Sequence, residues 1–505
     1  MRTLIKSKWI VANNGHGHTL LQNGVVVFER ERILYVGSSF DSPVDRAIDV
    51  GDKLVCPGFI DTHVHSGHRA SHRLITDAGR PLYFGQPFLE ISVPKEGRSV
   101  AGDPRYLAPG DTGLDAALEL NALFTVIELL RNGVTTFVEF GSQLNVQLAL
   151  LTQVERFGTR AYLGPGYDCG RWVGDAQGRL KRIHDEEAGF RGLEAAIEFI
   201  RTHEGACNGR VRGLLVPREV ETSTVQLLEK TLASSDALNV PMATHAAYSV
   251  LEFHDIVREH QMTPIELLDR IGMLRPTLNI GHGNFIADNA NINYSGARDL
   301  ELMGRHHCSI SHCPINIARR ARTLDDWHRY RQSGVNISIG SDTYPRDMVM
   351  NMRTASLMGK IMGHDYLKAP AGEVFEAATL GGARALGRDD LGRLAPGALA
   401  DIAIIDLAGR NALRFGPVRD PIKSLIECGV GDDVTTVIVN GEICMEEGII
   451  PGVDLAALRN QVQAAGEQVW ASFPNWDPQG RTAEEACPWS FPLHPEPPVE
   501  AGDRG

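Results

Sequence analysis

The chain has 505 residues, 43% of them hydrophobic and 22% charged, with a formal net charge of −13. That length is too great for one simple domain and enough to bury a large core, and the acidic balance argues against a general binder of nucleic acid or anionic membrane. The start has no basic stretch followed by a short apolar run, and no run of about eighteen apolar residues occurs anywhere, so neither a signal peptide nor a membrane span is expected. The eight cysteines are scattered, with no Cys-x-x-Cys pair, as in a reduced, cytoplasmic protein.

Residues 1–55 read as short strands at 4–11, 25–29, 32–36 and 47–49, broken by Asn13-Asn14-Gly15 and Asn23-Gly24. This unit is too small to close a core alone. Its expected partners are residues 401–406, 434–440 and 442–444, where Asn440-Gly441 marks a tight hairpin. Segments 1–55 and 388–460 are therefore expected to build one composite β-sandwich, and residues 461–505 a C-terminal helix and Pro-rich tail that wraps the surface or frays.

Between them, strands are predicted at 59–65, 134–140, 160–163, 211–216, 240–245, 277–282, 308–313 and 335–342. Helix-period segments lie at 115–132, 189–203, 222–233, 263–271, 297–304 and 325–332. Alternation of this kind predicts an α/β fold, a (β/α)8 TIM barrel over residues 56–387. A doubly wound sheet is the alternative; the barrel is preferred because the polar residues fall at strand C-terminal ends. Two connections are long. Residues 66–113 carry Arg69, Arg73, Tyr83, Phe84 and Phe88, and residues 164–188 carry Tyr167, Arg171 and Trp172. Long loops of this kind are usually functional, so Tyr83, Phe84 and Trp172 are candidate substrate contacts.

The chemistry is concentrated at strand ends. Pro57-Gly58-Phe59-Ile60-Asp61-Thr62-His63-Val64-His65 reads as a buried strand. Side chains alternate faces along a strand, so His63 and His65 point to one side, where two imidazoles can share a cation. His245, His282 and Asp342 each close another apolar strand. A buried aspartate without a cation or hydrogen bonds is costly. His63, His65, His245 and Asp342 are thus candidate ligands of one divalent ion, which would bring the pKa of a bound water toward neutrality. His282 is placed to orient that water or polarise a substrate, and Asp342 to take a proton from water and pass it to the leaving group.

Further stretches complete a pattern: Gly133-Val-Thr-Thr, Ser311-His-Cys-Pro314, Gly340-Ser-Asp342, residues 377–387 and residues 392–401. Together with Pro57–His65 they resemble the amidohydrolase superfamily, in the branch that includes cytosine and guanine deaminases and triazine hydrolases. The resemblance covers roughly residues 1–450. It implies the barrel with its composite sandwich and the ligand roles of His63, His65, His245 and Asp342. It also implies a catalytic or substrate-binding His282, zinc or sometimes iron as the metal, a small-molecule substrate, and a homo-oligomer of two or more copies.

Two departures shape the expected reaction. Deaminases of this branch usually carry a glutamate three residues after the third histidine, where this chain has Tyr248. A phenol with an unperturbed pKa of about 10 is a poor proton shuttle, although it can donate to a substrate carbonyl. Hydrolysis of an amide, carbamate or urea-type C–N bond is therefore the expected activity. Deamination or dechlorination of a heteroaromatic ring is one alternative and a non-catalytic scaffold another. Binuclear relatives bridge their metals with a lysine or glutamate from a middle strand; here Lys181 and Lys230 fall in a loop and a helix, while Glu139 and Glu219 are expected to be solvated or salt-bridged. One ion per chain is the expectation. His68, just past the metal pair, is a candidate substrate contact, as His72 nearby would be. His312 is expected to line the pocket or to support the ligands from behind. Arg319, Arg320 and Arg322 read as a solvated run.

Overall fold

The structure, a computed structural model, describes residues 1–67, 93–97, 112–296, 298–408 and 412–494. Its first five strands are β1 (Arg2–Asn13), β2 (His18–Glu29), β3 (Arg32–Gly37), β4 (Arg46–Asp49) and β5 (Leu54–Pro57). β1 and β2 pair antiparallel from Arg2–Glu29 to Asn13–His18. β4 and β5 lie parallel to β1.

The central strands follow. They are β6 (Phe59–Val64), β7 (Val134–Glu139), β8 (Arg160–Leu163), β9 (Gly166–Tyr167), β10 (Gly170–Gly174), β11 (Leu180–His184), β12 (Val211–Gly213), β13 (Val216–Pro217), β14 (Met242–Ala246), β15 (Leu278–His282), β16 (Ser309–His312) and β17 (Asn336–Ile339). Two four-stranded sheets, β12-β8-β7-β6 and β14-β15-β16-β17, form from them. Both are parallel throughout. All residues of β6, β7, β8, β14, β15 and β16 are buried, as expected for parallel strands covered on both faces. Isolated parallel bridges, Val64–Asp342 and Leu215–Met242, tie the two sheets at both edges.

The chain then returns to the first sheet through β18 (Ile402–Ile405), β19 (Val434–Val439) and β20 (Glu442–Met445), giving the order β20-β19-β18-β5-β1-β2-β3 with β4 beside β1. The two chain ends thus share one eight-stranded sheet. The β19–β20 turn uses Asn440 and Gly441, both at positive φ, the backbone that a two-residue hairpin turn requires. Arg160 at the start of β8 reaches across to Asp401, with Nε and Nη2 at 3.1 and 3.2 Å from its two carboxylate oxygens. That buried ion pair links the parallel strands to the mixed sheet.

Helix limits follow local chemistry. The helix predicted from residue 263 begins at Pro264, because Thr263 and Glu266 form a reciprocal capping box. Residues 164–188 are not an irregular loop: β10 and β11 pair as an antiparallel hairpin. Period-2 patterning is weak there, with three glycines and mixed polarity, so the sequence did not betray it. In the C-terminal segment the helix Leu455–Ala471 is followed by a small apolar cluster of Val469, Phe473, Trp476 and Ala483. Lys95 N donates to Trp476 O at 3.1 Å, and Glu96 N to Gly174 O at 2.8 Å. This part of the tail, expected to wrap the surface or fray, is packed, whereas residues 495–505 lie outside the described residues. Among the described residues no helix is long and apolar enough to cross a membrane. All eight cysteines are free.

Candidate active site

The C-terminal ends of β6, β14 and β15 and the residues after β17 meet at one point. Nε2 of His63 lies 3.0 Å from Nε2 of His65, and both lie 3.2 Å from Nε2 of His245. His245 Nδ1 is 2.8 Å from the Arg218 carbonyl. That contact requires the proton on Nδ1 and leaves Nε2 as a lone pair facing the other two rings. Burial holds His245 down to about 4 and His65 well below its ordinary value, so both are neutral. Three imidazole nitrogens so close cannot all satisfy one another with protons. A cation at their centre satisfies them together, and a tetrahedral ion with Zn–N of about 2.0–2.1 Å sets its nitrogens about 3.3–3.4 Å apart. Asp342 Oδ1 is 3.6 Å from His65 Nε2, and the donor atoms of His63, His65 and Asp342 all lie within 4.8 Å of one another. The donor set therefore fits a divalent ion.

The backbone is built to hold these groups. Asp342 N donates to His63 O at 2.7 Å, and His65 N donates to Asp342 O at 2.9 Å. Asp342 and His282 both sit at positive φ, 61° and 80°. A non-glycine residue there costs about 1–3 kcal/mol, and such strain gathers at functional sites. Phe140 stacks on His63 with centroids 3.8 Å apart and planes 5° from parallel. Gly281 makes the crowding possible: a Cβ there would stand 2.9 Å from His63 Cε1 and 3.0 Å from His245 Cδ2. His282 Nε2 lies 3.6 Å from Asp342 Oδ2. Burial keeps His282 neutral and pushes Asp342 up to about 6, the latter against the pull of Arg320. Asn316 Nδ2 also donates to Asp342 Oδ2.

His63, His65, His245, His282 and Asp342 are thus brought together. His312 is buried, and burial lowers it to about 3; its ring is 6.1 Å from that of Trp327. Trp172 Nε1 donates to Glu221 Oε1 at 3.2 Å, and Tyr248 Oη donates to the same oxygen at 2.5 Å. His68, His72, Tyr83, Phe84, Arg69, Arg73 and Phe88 lie outside the described residues.

Two expectations are corrected. Glu139 is neither solvated nor salt-bridged: it is fully buried and accepts from Ser66 N at 3.1 Å and from the Ser142 hydroxyl. Its last position on an all-buried strand carried that signal. Arg320 turns inward and donates to the Tyr248 carbonyl at 3.3 Å, whereas Arg319 stays exposed, as expected, with its guanidinium over the Tyr344 ring at 4.1 Å. Glu219 does approach the site, with Oε1 3.9 Å from His245 Nδ1.

Three residues escaped the sequence reading. Asp61 accepts from Ser341 Oγ, Ser341 N and His63 N at 2.5, 3.0 and 3.2 Å. Strand alternation already placed it on the face of His63 and His65, so it was legible. Arg346 donates to the His65 carbonyl and pairs with Glu128, each at 3.0 Å. Glu221 carried only a faint signal, a carboxylate a few residues past an apolar strand.

Residues 54–444 match the amidohydrolase family. The chain belongs to that family and is a hydrolase acting on carbon–nitrogen bonds other than peptide bonds. It is 29% identical over 440 residues to the 5-methylthioadenosine/S-adenosylhomocysteine deaminase of Natronomonas pharaonis, covering 86% of this chain and 91% of that one. Its fold is shared with a zinc-bound adenosine deaminase from Xanthomonas campestris, at TM-score 0.75 and 20% identity over 92% of this chain and 98% of that one. A zinc complex of atrazine chlorohydrolase from Arthrobacter aurescens shares it too, at TM-score 0.73 and 20% identity over 92% and 100%.

Proposed function

We propose that the chain hydrolyses an amide-, carbamate- or urea-type C–N bond of a small molecule, using one divalent ion held by His63, His65, His245 and Asp342. The observation that carries this reading is the convergence of three imidazole nitrogens within 3.0–3.2 Å beside a buried carboxylate. Zinc, or a ferrous ion, would supply a water acidified toward neutrality and a positive charge for the carbonyl oxygen. As water adds to the carbon, one of its protons passes to Asp342. His282, neutral and 3.6 Å from Asp342 Oδ2, orients the substrate oxygen or the water. A single ion is supported by Glu139, whose carboxylate is taken up by Ser66 and Ser142.

Tyr248 favours an acyl-type C–N bond over an amino-heterocycle, since a phenol donates a hydrogen bond but does not shuttle protons as a base near neutrality. Deamination of an amino-heterocycle is the second reading, favoured by the names of relatives such as the Natronomonas deaminase. The deciding experiment is elemental analysis of the wild type, His63→Ala and Asp342→Ala. It is followed by a turnover panel of anilides, phenylureas, carbamates, adenosine and 5′-methylthioadenosine. About one ion per chain, lost in both variants, with acyl C–N turnover supports the reading. Two ions, or ammonia release from the nucleosides alone, overturns it.

The same proposal extends to architecture and setting. The two edge bridges support a single (β/α)8 barrel over residues 56–387, with segments 1–55 and 388–460 folding as one sandwich and 461–505 as an appendage. A crystal structure with β17 parted from β6 would overturn it. Exposed Leu357, Ile361, Tyr366 and Leu367 support self-association into two or more copies, which sedimentation as a monomer would refute. A cytoplasmic setting, supported by the eight free thiols, is checked by cell fractionation.

A further inference from the structure

The surroundings of Tyr248 hold a second carboxylate that the ion does not use. Glu221, on the segment after β13, is 2% exposed. Its Oε1 accepts from Tyr248 Oη and Trp172 Nε1, and its Oε2 is buried with no hydrogen-bond partner among the described residues. Arg182 is close by, yet it donates to the Glu221 backbone carbonyl, to Asp255 and to Glu259 rather than to the Glu221 carboxyl. An ionised carboxylate with a bare buried oxygen is costly; protonated at Oε1, the carboxyl instead donates to Tyr248 Oη across the same 2.5 Å contact and frees the phenol O–H for another acceptor. Burial, reinforced by the charge of Glu219, pushes Glu221 up to about 7. Tyr248 is anchored at its backbone, where its own N–H and that of Ala247 donate to Glu252 at 3.1 and 2.9 Å. Its ring packs 5.8 Å from that of His245. The phenol therefore adjoins the histidine cluster through its ring and Glu221 through its hydroxyl.

We propose that Tyr248 and Glu221 form one proton-delivery couple for the leaving nitrogen. Tyr248 is the group that touches the substrate, and Glu221 is the positioning residue that holds the phenol and refills its proton. As the C–N bond breaks, its electron pair stays on nitrogen, and the Tyr248 hydroxyl proton moves to that nitrogen. The Glu221 carboxyl proton moves in the same event to the phenol oxygen, leaving Glu221 as carboxylate. The amine departs neutral, and the proton that Asp342 took from water restores Glu221 through solvent. The couple thus acts only as an acid, delivering a proton from two strand ends, while Asp342 keeps the base role. This inference rests on C–N hydrolysis at the site.

Two measurements test it on the metal-loaded full chain. The first is infrared difference spectroscopy without substrate. The wild type should show the carbonyl stretch of a protonated carboxyl at mildly acid pH. The wild-type minus Glu221→Gln difference spectrum should retain one such band once those shared with Asp61, Asp299 and Asp342 cancel, and Tyr248→Phe should shift it; absence of a band from that difference overturns the couple. The second is kinetics on whichever panel compound is turned over. Glu221→Gln and Tyr248→Phe should each lower kcat by about 100-fold with KM changed less than about threefold, and the double variant should be no slower. Glu221→Asp should recover about tenfold, and a 4-nitroanilide leaving group should erase most of the loss. Losses that multiply in the double variant, or that ignore the leaving group, overturn the couple. Failure of the whole panel would overturn the hydrolase reading, while the infrared result still decides the couple.

Discussion

Replacing Asp61 by alanine removes the clamp between the first and last parallel strands, two positions before His63. Three donors converge on this fully buried carboxylate: Ser341 Oγ at 2.5 Å, Ser341 N at 3.0 Å and His63 N at 3.2 Å. The serine hydroxyl can rotate to another acceptor, but the two backbone N–H groups cannot. Each orphaned buried donor costs about 2 kcal/mol, so the loss is about 4 kcal/mol. Burial also pushes Asp61 from 3.8 up to about 6, so at neutral pH the native state holds an ionised carboxylate at a cost that alanine relieves, about 3 kcal/mol. The expected net destabilisation near pH 7 is about 1 kcal/mol, read from urea unfolding of the metal-free chain. Because His63 is a proposed ligand and Ser341 precedes Asp342, metal affinity should also fall about 10–100-fold in chelator competition. Asp61→Asn keeps an acceptor for the backbone donors and should stay within about 1 kcal/mol of wild type. An alanine variant with unchanged unfolding and unchanged metal affinity would refute the reasoning.

Gly281→Ala should leave the fold intact but lower metal affinity about tenfold or more, since its Cβ would press on His63, His245 and, at 2.9 Å, Phe140 Cζ; chelator competition with wild-type affinity would count against it. Arg160→Ala strands the Asp401 carboxylate in the interior with the Asn440 N–H at 2.7 Å as a remaining donor. It should cost about 3–5 kcal/mol by urea unfolding, and a loss below about 1 kcal/mol would contradict the linking role. Asp299, held by Thr263 Oγ1 at 2.5 Å and Ala287 N at 2.8 Å, is raised by burial from 3.8 to about 6. The native chain therefore binds the extra proton between those values, and stability falls as pH rises through that window. Asp299→Asn removes this dependence, so its stability should gain on wild type by up to about 3 kcal/mol from about pH 4 to pH 7. Parallel pH profiles of the two proteins would refute the assignment.

Much of the architecture was legible because it rests on short-range periodicity. Short segments rich in β-branched and aromatic residues marked β6, β7 and β8, and the last of these matched its expected limits, residues 160–163. Alternation along Phe59–Val64 put Asp61, His63 and, one step beyond, His65 on one face. The Asn440-Gly441 pair announced a turn that needs positive φ at both positions. Polar residues closing the apolar strands at His245, His282 and Asp342 named the face on which chemistry would gather. The hairpin of β10 and β11 escaped because glycine and charge blur its alternation.

By itself, then, the sequence determined which residues point together from one strand end, since that follows from the two-residue repeat of an extended chain. Only the tertiary structure decided which strand ends meet. That His63, His65 and His245 leave their nitrogens within 3.2 Å depends on parallel packing and on the missing side chain of Gly281. That Asp61 belongs to Ser341, 280 positions away, and Glu221 to Tyr248, 27 away, depends on the same packing. No local pattern encodes such pairs, because a hydrogen bond depends on distance in space, and sequence separation does not set that distance until the strands are side by side.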